Sequence, residues 1–192
     1  MKFFGLKALA AILLTLPGTA CSVTGVSDEV FLADRVPAKV LAPEAFFGKA
    51  EAEIPHFILG EYNGEDWTAE CVLKLTHDEL VLVASAPVGR LFTLKWNSAG
   101  VAELKKGALS LGVPVNPYYL LMDLTLIYGD LAALQQHFSA PWKIAENARE
   151  RVLFLGEKPA VKIVYSEASP FSGTVILENL SRGYRYTIVA QP

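Results

Sequence analysis

Cys21 is the residue whose surroundings specify chemistry most closely. It follows Leu16-Pro17-Gly18-Thr19-Ala20, behind an apolar run of nine residues, Ala8–Leu16, and two lysines, Lys2 and Lys7. A basic start, a short apolar run and small residues form a secretory leader with its cleavage site. The run is too short to span a bilayer as a helix, which needs about 20 apolar residues. Residues 1–20 are therefore expected to be a signal peptide. Ordinary cleavage would leave Cys21 free to pair with Cys71 in an oxidising compartment. If lipid is attached at Cys21 instead, Cys71 reads as a small buried hydrophobe.

The remaining reactive residues do not converge. His56, His77 and His137 are scattered. His77-Asp78-Glu79 resembles a ligand set only superficially, since it falls at a turn and reads as solvated surface. Cys71 and His77 have no second pair to complete a zinc site. The run Gly107-Ala108-Leu109-Ser110-Leu111-Gly112 places its serine one position late for a nucleophile elbow. No H-E-x-x-H, phosphate-binding or dinucleotide motif occurs. No catalytic residue, metal or cofactor is expected. Lys105-Lys106 reads as a solvated strand end, with a lipid headgroup contact as the lesser alternative.

One acidic residue stands out. Asp123 interrupts the apolar run Pro117–Tyr128. Either it lies on an exposed side of that helix or acts as a local cap, or it gates a lid by bonding a partner such as Arg151. An unpaired buried carboxylate is costly.

The elements that must carry these residues are mostly strands. Alternation over Trp67–Thr76 puts Ala69, Cys71, Leu73 and Leu75 on one face. Strands follow at Glu79–Ser85, Arg90–Asn97 and Val101–Lys105, with Phe92, Leu94 and Trp96 sharing a face. Leu73, Leu75, Phe92, Leu94 and Trp96 either line a ligand cavity or form an ordinary packed core, because alternation is the same in both. Two helices are expected next. The first covers Pro117–Tyr128, with Asn116 as cap, and the second Leu131–Phe138, capped by Asp130. Strands return at Arg151–Leu155, Ala160–Ser166, Gly173–Asn179 and Tyr184–Ala190. Residues 22–43 read as a tether and lead-in, partly helical.

Composition limits the function classes. The chain has 192 residues, 52% of them hydrophobic and 19% charged, which excludes a disordered chain. A formal net charge of -3 disfavours a nucleic-acid binder.

Two resemblances add to this. The segment ending in Ala20-Cys21 resembles a bacterial lipobox, with Gly18 where leucine is usual. That resemblance implies a diacylglycerol on the Cys21 thiol and an acyl chain such as palmitate on its amine. Ser22, in place of aspartate, implies the outer membrane. The second rests on Asp123-Leu124-Thr125-Leu126-Ile127-Tyr128, Arg151, Val161-x-Ile163-x-Tyr165, Gly173, Leu177 and Gly183-Tyr184. These resemble a bacterial lipoprotein family of unknown function that is similar to the carriers LolB and LolA. That family often accompanies aryl-polyene biosynthesis genes. Gly129-Asp130 departs from an expected Trp-Pro pair.

The resemblance implies an α+β, mainly β fold: a strongly bent antiparallel sheet, a half-open barrel, with short helices across its concave face. The expected organisation is a leader over 1–20, a tether over 21–43 and one domain over 44–192. The expected function is a non-catalytic, periplasm-facing outer-membrane protein, monomeric, that binds or transfers a lipidated or polyene-like acyl cargo or a lipoprotein. Asp123, Tyr128 and Arg151 would form the lid. A lipid-anchored scaffold with a filled core is the alternative.

Overall fold

The computed structural model describes residues 29–33, 36–39, 43, 51–62, 65–76, 78–87, 89–97, 99, 102–107 and 117–191. Cys21, Ser22, His77 and Asn116 lie outside the described residues, as does the leader. Strands β1 (Glu29–Ala33) and β2 (Val36–Lys39) form an antiparallel hairpin. Next come β3 (Ala52–Tyr62), β4 (Glu65–Leu75), β5 (Glu79–Ala86), β6 (Gly89–Asn97) and β7 (Ala102–Lys106). Two helices, α1 (Pro117–Tyr128) and α2 (Leu131–His137), precede β8 (Trp142–Glu146), β9 (Glu150–Leu155), β10 (Lys158–Tyr165), β11 (Thr174–Asn179) and β12 (Tyr184–Ala190).

Ten strands make one antiparallel sheet in the order β7-β6-β5-β4-β3-β12-β11-β10-β9-β8. It is not closed into a barrel: β7 and β8 are its edges. The two halves join where β12 pairs with β3, Ile188 opposite Ile58. The chain leaves the sheet at one edge, β7, and re-enters at the other, β8. The helices between them lie on that route.

The contacts of α1 require the sheet to curl. Laid flat, ten strands would span about 43 Å, against a helix about 10–12 Å across. Yet α1 touches side chains from β3, β9, β10 and β12 and also meets β7 and β11. The hairpin strand β1 packs against it too. Ten of its twelve residues are buried. A helix apolar on every face belongs in an interior. The alternative that put Asp123 on an exposed side of this helix is therefore corrected.

Alternation places the sheet's core. Ala69, Cys71, Leu73 and Leu75 of β4 are buried, as are Leu80, Leu82 and Ala84 of β5 and Leu94 and Trp96 of β6. They join Leu121, Met122, Leu126 and Ile127 of α1 in one cluster. Helix α2 starts at Asp130, whose carboxylate accepts from the Ala133 N–H at 3.0 Å, an ordinary N-cap. Gly129 ahead of it has a steric reason. A Cβ there would stand 2.5 Å from the Thr125 carbonyl oxygen.

Three strand assignments differ from expectation. The tether contains the unexpected β1–β2 hairpin, while Pro43 at its end is helical. Strand β3 was hidden because Pro55 and Gly60 interrupt it and Phe57 and Leu59 break the alternation. Its Ile54 and His56 are buried, with Ile58 half-buried on the same face. Edge strand β8 has only five residues, too few for a clear period.

Candidate functional site

Helix α1 is fastened to the concave face at three polar points, and together these form the candidate site. The first is Asp123, which is 4% exposed. Both its carboxylate oxygens stand 2.9 Å from the Tyr184 hydroxyl of β12, which donates to them. Asn179 Nδ2 lies 3.3 Å from the same hydroxyl. Tyr186, two residues on and therefore on the same face, stacks parallel to Tyr184 at 6.1 Å. Its buried hydroxyl makes no hydrogen bond of good geometry but interacts with the Asp123 carboxyl, both as a charge and as a weak hydrogen-bond partner. Burial pushes the Asp123 carboxyl up to about 7, against the opposing pull of Tyr184, Tyr186 and the Arg182 guanidinium. Burial also raises both tyrosines well above the phenolic range. Arg182 itself lies over the Tyr119 ring at 3.8 Å.

The second point is Tyr128, the last residue of α1. Its hydroxyl is 2.9 Å from Nε2 of His56 on β3. Its ring stacks on Phe171 at 5.2 Å. Burial lowers His56 to about 4, so the imidazole is neutral at physiological pH.

The third point closes the helix C-terminus. Arg151 Nη1 donates to the Leu126 carbonyl at 2.6 Å and to that of Ile127 at 3.4 Å. Its Nε pairs with Glu146. The Tyr165 hydroxyl donates to Ile127 O at 2.8 Å. These carbonyls lack partners within the helix, and a cation there also meets the negative end of the helix dipole.

Of the expected lid residues, Asp123, Tyr128 and Arg151 all contact or belong to α1, but Asp123 and Arg151 do not pair. Asp123 bonds Tyr184, and Arg151 serves the helix end with Glu146. Nor does Asp123 lie on an exposed side. The pairing failed as an expectation because charge complementarity carries no geometry: the two residues hold different turns of the helix.

The residues expected to line a cavity share the concave face. Leu73, Leu75, Leu94 and Trp96 are at most 1% exposed, and Phe92 is half-buried against them. Helix α1 fills the space before them. A cleft of about 420 Å³ lies elsewhere, with Leu59, Glu61, Thr68 and Arg185 in its wall. Its wall also includes Gly60, Trp67 and Tyr186, which share the parity of the inward-facing residues.

Cys71 and His56 are directly opposed across β3 and β4. The thiol is pushed up to about 12 by burial while the imidazole is pushed down. Both are driven neutral, the reverse of the thiolate–imidazolium state a nucleophilic cysteine uses. Among the described residues, no three His, Cys, Asp or Glu side chains cluster as a metal site would require. Lys105 pairs with Glu103 at 3.3 Å in a solvated setting.

Sequence reasoning missed His56, Glu146, Tyr184 and Tyr186. The spacing Tyr184-x-Tyr186 in a terminal strand was a usable signal, because period two puts both hydroxyls on one face. His56 in an apolar segment was another. The family described as "Protein of unknown function (DUF3261)" matches residues 56–192 of this chain, and no curated protein matches it.

Proposed function

The chain belongs to the DUF3261 family of proteins of unknown function, and we propose that this member is a non-catalytic, lipid-anchored carrier. It is anchored at the outer membrane through Cys21, faces the periplasm, and binds or passes on an acyl or lipoprotein cargo. Its relation to LolB and LolA is part of the same proposal. One observation carries the reading. An unclosed ten-stranded sheet wraps a helix that is apolar on every face and held by a few polar bonds. If α1 swings out, an apolar concave surface opens of the kind that binds lipid tails. Bonds to charged groups, as at Asp123 and Arg151, are each worth about 1.5–3 kcal/mol net.

A specific observation also favours the scaffold reading. Leu73, Leu75, Leu94 and Trp96 are as deeply buried as any core residue. Leu94→Glu separates the two. Fluorescent acyl probe binding and a thermal melt are measured on the full chain carrying Cys21→Ser, which lacks an acyl group of its own. A carrier loses probe binding yet still melts cooperatively. In a scaffold with a filled core, the buried carboxylate collapses the fold. A wild-type interior that takes up no acyl probe would end the carrier reading.

The anchor has its own test. Labelled fatty acid is expected to enter the wild type and not the Cys21→Ser chain. Equal labelling would remove the anchor from the account.

A further inference from the structure

Four large apolar side chains stand well exposed among the described residues: Leu59, Trp67, Val72 and Leu180. All but Val72 gather toward one end of the sheet. There Tyr62, at the end of β3, lies opposite Glu65 and Tyr184, the first residues of β4 and β12. The β5–β6, β9–β10 and β11–β12 turns project from the same end. Helix α1 starts there too, since Asp123 bonds Tyr184 and Arg182 covers the Tyr119 ring. We propose that this rim docks on a bilayer surface containing anionic phospholipid, with Leu180 and Trp67 entering the interface. The inference goes beyond the carrier reading and takes from it only the Cys21 anchor.

Both apolar residues are held outward by their local structure. In the β11–β12 turn the Arg182 N–H donates to Asn179 Oδ1 at 2.9 Å, and the Leu180 N–H donates to the Ala160 carbonyl at 2.9 Å. Leu180 is therefore 45% exposed on a turn whose backbone is tied down. Trp67, 43% exposed, lies over Gly60, where a Cβ would collide with its ring. An indole of this kind, apolar in body with one N–H donor, suits the boundary between water and hydrocarbon.

Charge distinguishes the two ends of the sheet. Toward the rim the exposed bases Arg90, Lys106, Lys143, Lys158, Arg182 and Arg185 outnumber the exposed acids Glu61, Asp66, Glu157 and Glu178. At the opposite end the exposed acids Glu51, Glu53, Asp78, Asp130 and Glu167 outnumber Lys74 and Arg149. A negative lipid surface attracts the first end and repels the second. The anchor enforces proximity. Cys21 stands eight residues before Glu29, the start of β1, so an anchored chain keeps that strand within about 29 Å of the bilayer. Strand β1 packs against α1. Docked by the rim, the protein points the N-terminal end of α1 at the membrane.

The test uses the processed chain, residues 21–192 carrying Cys21→Ser, and flotation with vesicles. Vesicles of phosphatidylethanolamine and phosphatidylglycerol are expected to bind it about tenfold more tightly than vesicles of phosphatidylcholine, a difference that salt reduces. Leu180→Ser and Lys158→Glu should each weaken binding about tenfold. Val72→Ser, at a comparably exposed site in mid-strand, should change it less than about twofold. Brominated lipid should quench Trp67, and the quenching should vanish in Trp67→Phe, because Trp96 and Trp142 are buried. A thermal melt of each variant checks that it folds. No vesicle binding, equal binding to the two vesicle types, equal losses in Val72→Ser and Leu180→Ser, or an unquenched Trp67 would each overturn the docking rim. Acyl probe uptake, measured without vesicles, is scored separately: uptake in a chain that binds no vesicle would overturn the rim and leave the carrier reading standing.

Discussion

Asp123 and His56 pull stability in opposite directions as pH changes. Asp123 titrates near 7 when folded but near 4 when unfolded. Its contribution is full below about pH 4 and is lost as pH rises toward 7. His56 titrates near 4 when folded against 6.5 unfolded. Its contribution is full above 6.5 and is lost as pH falls toward 4. Each slope integrates to roughly 3–4 kcal/mol at most, so the two nearly cancel between pH 4 and 6.5. Asp123→Asn is expected to make the protein less stable as pH falls through that window. His56→Gln is expected to make it less stable as pH rises from 4 to 7. Urea midpoints at four pH values decide the matter. Parallel pH profiles for the wild type and both variants would contradict these environments. Sequence showed Asp123 as an anomaly, since an acid inside an apolar run is visible. It did not show Tyr184 as the partner, because a contact 61 positions away depends on how the sheet curls. Cys71 as a buried hydrophobe was readable from its alternation with Ala69, Leu73 and Leu75.

Helix α1 illustrates what local pattern can settle at the scale of an element. Pro117 at its start and Gly129 beyond its end bound it, and the structure has it over those residues. The strands β4, β5, β6 and β12 were legible for a similar reason, since period-two alternation and turn residues agree. What local pattern left open is how the helix is held. Twelve residues make a helix only marginally stable alone in water, so α1 depends on its fastenings. Arg151 is the most connected of them. Replacing it with Met removes the donor to the Leu126 and Ile127 carbonyls and leaves Glu146 without its partner. Glu146 is partly exposed and reaches water, so the loss should fall at the lower end for a broken buried pair, about 3 kcal/mol. A second replacement, Glu146→Gln, should restore part of that loss. A shift below about 1 kcal/mol in the denaturation midpoint of Arg151→Met would show that Arg151 does not secure the helix. The strands β1, β2, β3 and β8 were illegible for different reasons. Two are short, β3 is interrupted by Pro55, and the hairpin lies in a segment of mixed polarity.

At the scale of the whole molecule, the order strands–helices–strands implied an antiparallel sheet with helices over it. The described residues have that arrangement, with the sheet left open between β7 and β8. The junction of β3 with β12 was beyond sequence reasoning, because pairing of distant strands leaves no local trace. A filled concave face was equally hidden, since Leu94 or Trp96 alternates identically whether it meets a helix or a lipid. The central claim is that α1 is a movable occupant of that face. Amide hydrogen exchange of the full chain carrying Cys21→Ser, with and without palmitate, tests it most directly. The account predicts that the amides of α1 after Pro117 exchange by an opening well below the global unfolding free energy. It predicts too that palmitate accelerates this exchange while the β4, β5 and β6 amides stay protected. If the α1 amides exchange only with global unfolding, and palmitate leaves them unchanged, the helix is a permanent core element and the carrier account is wrong.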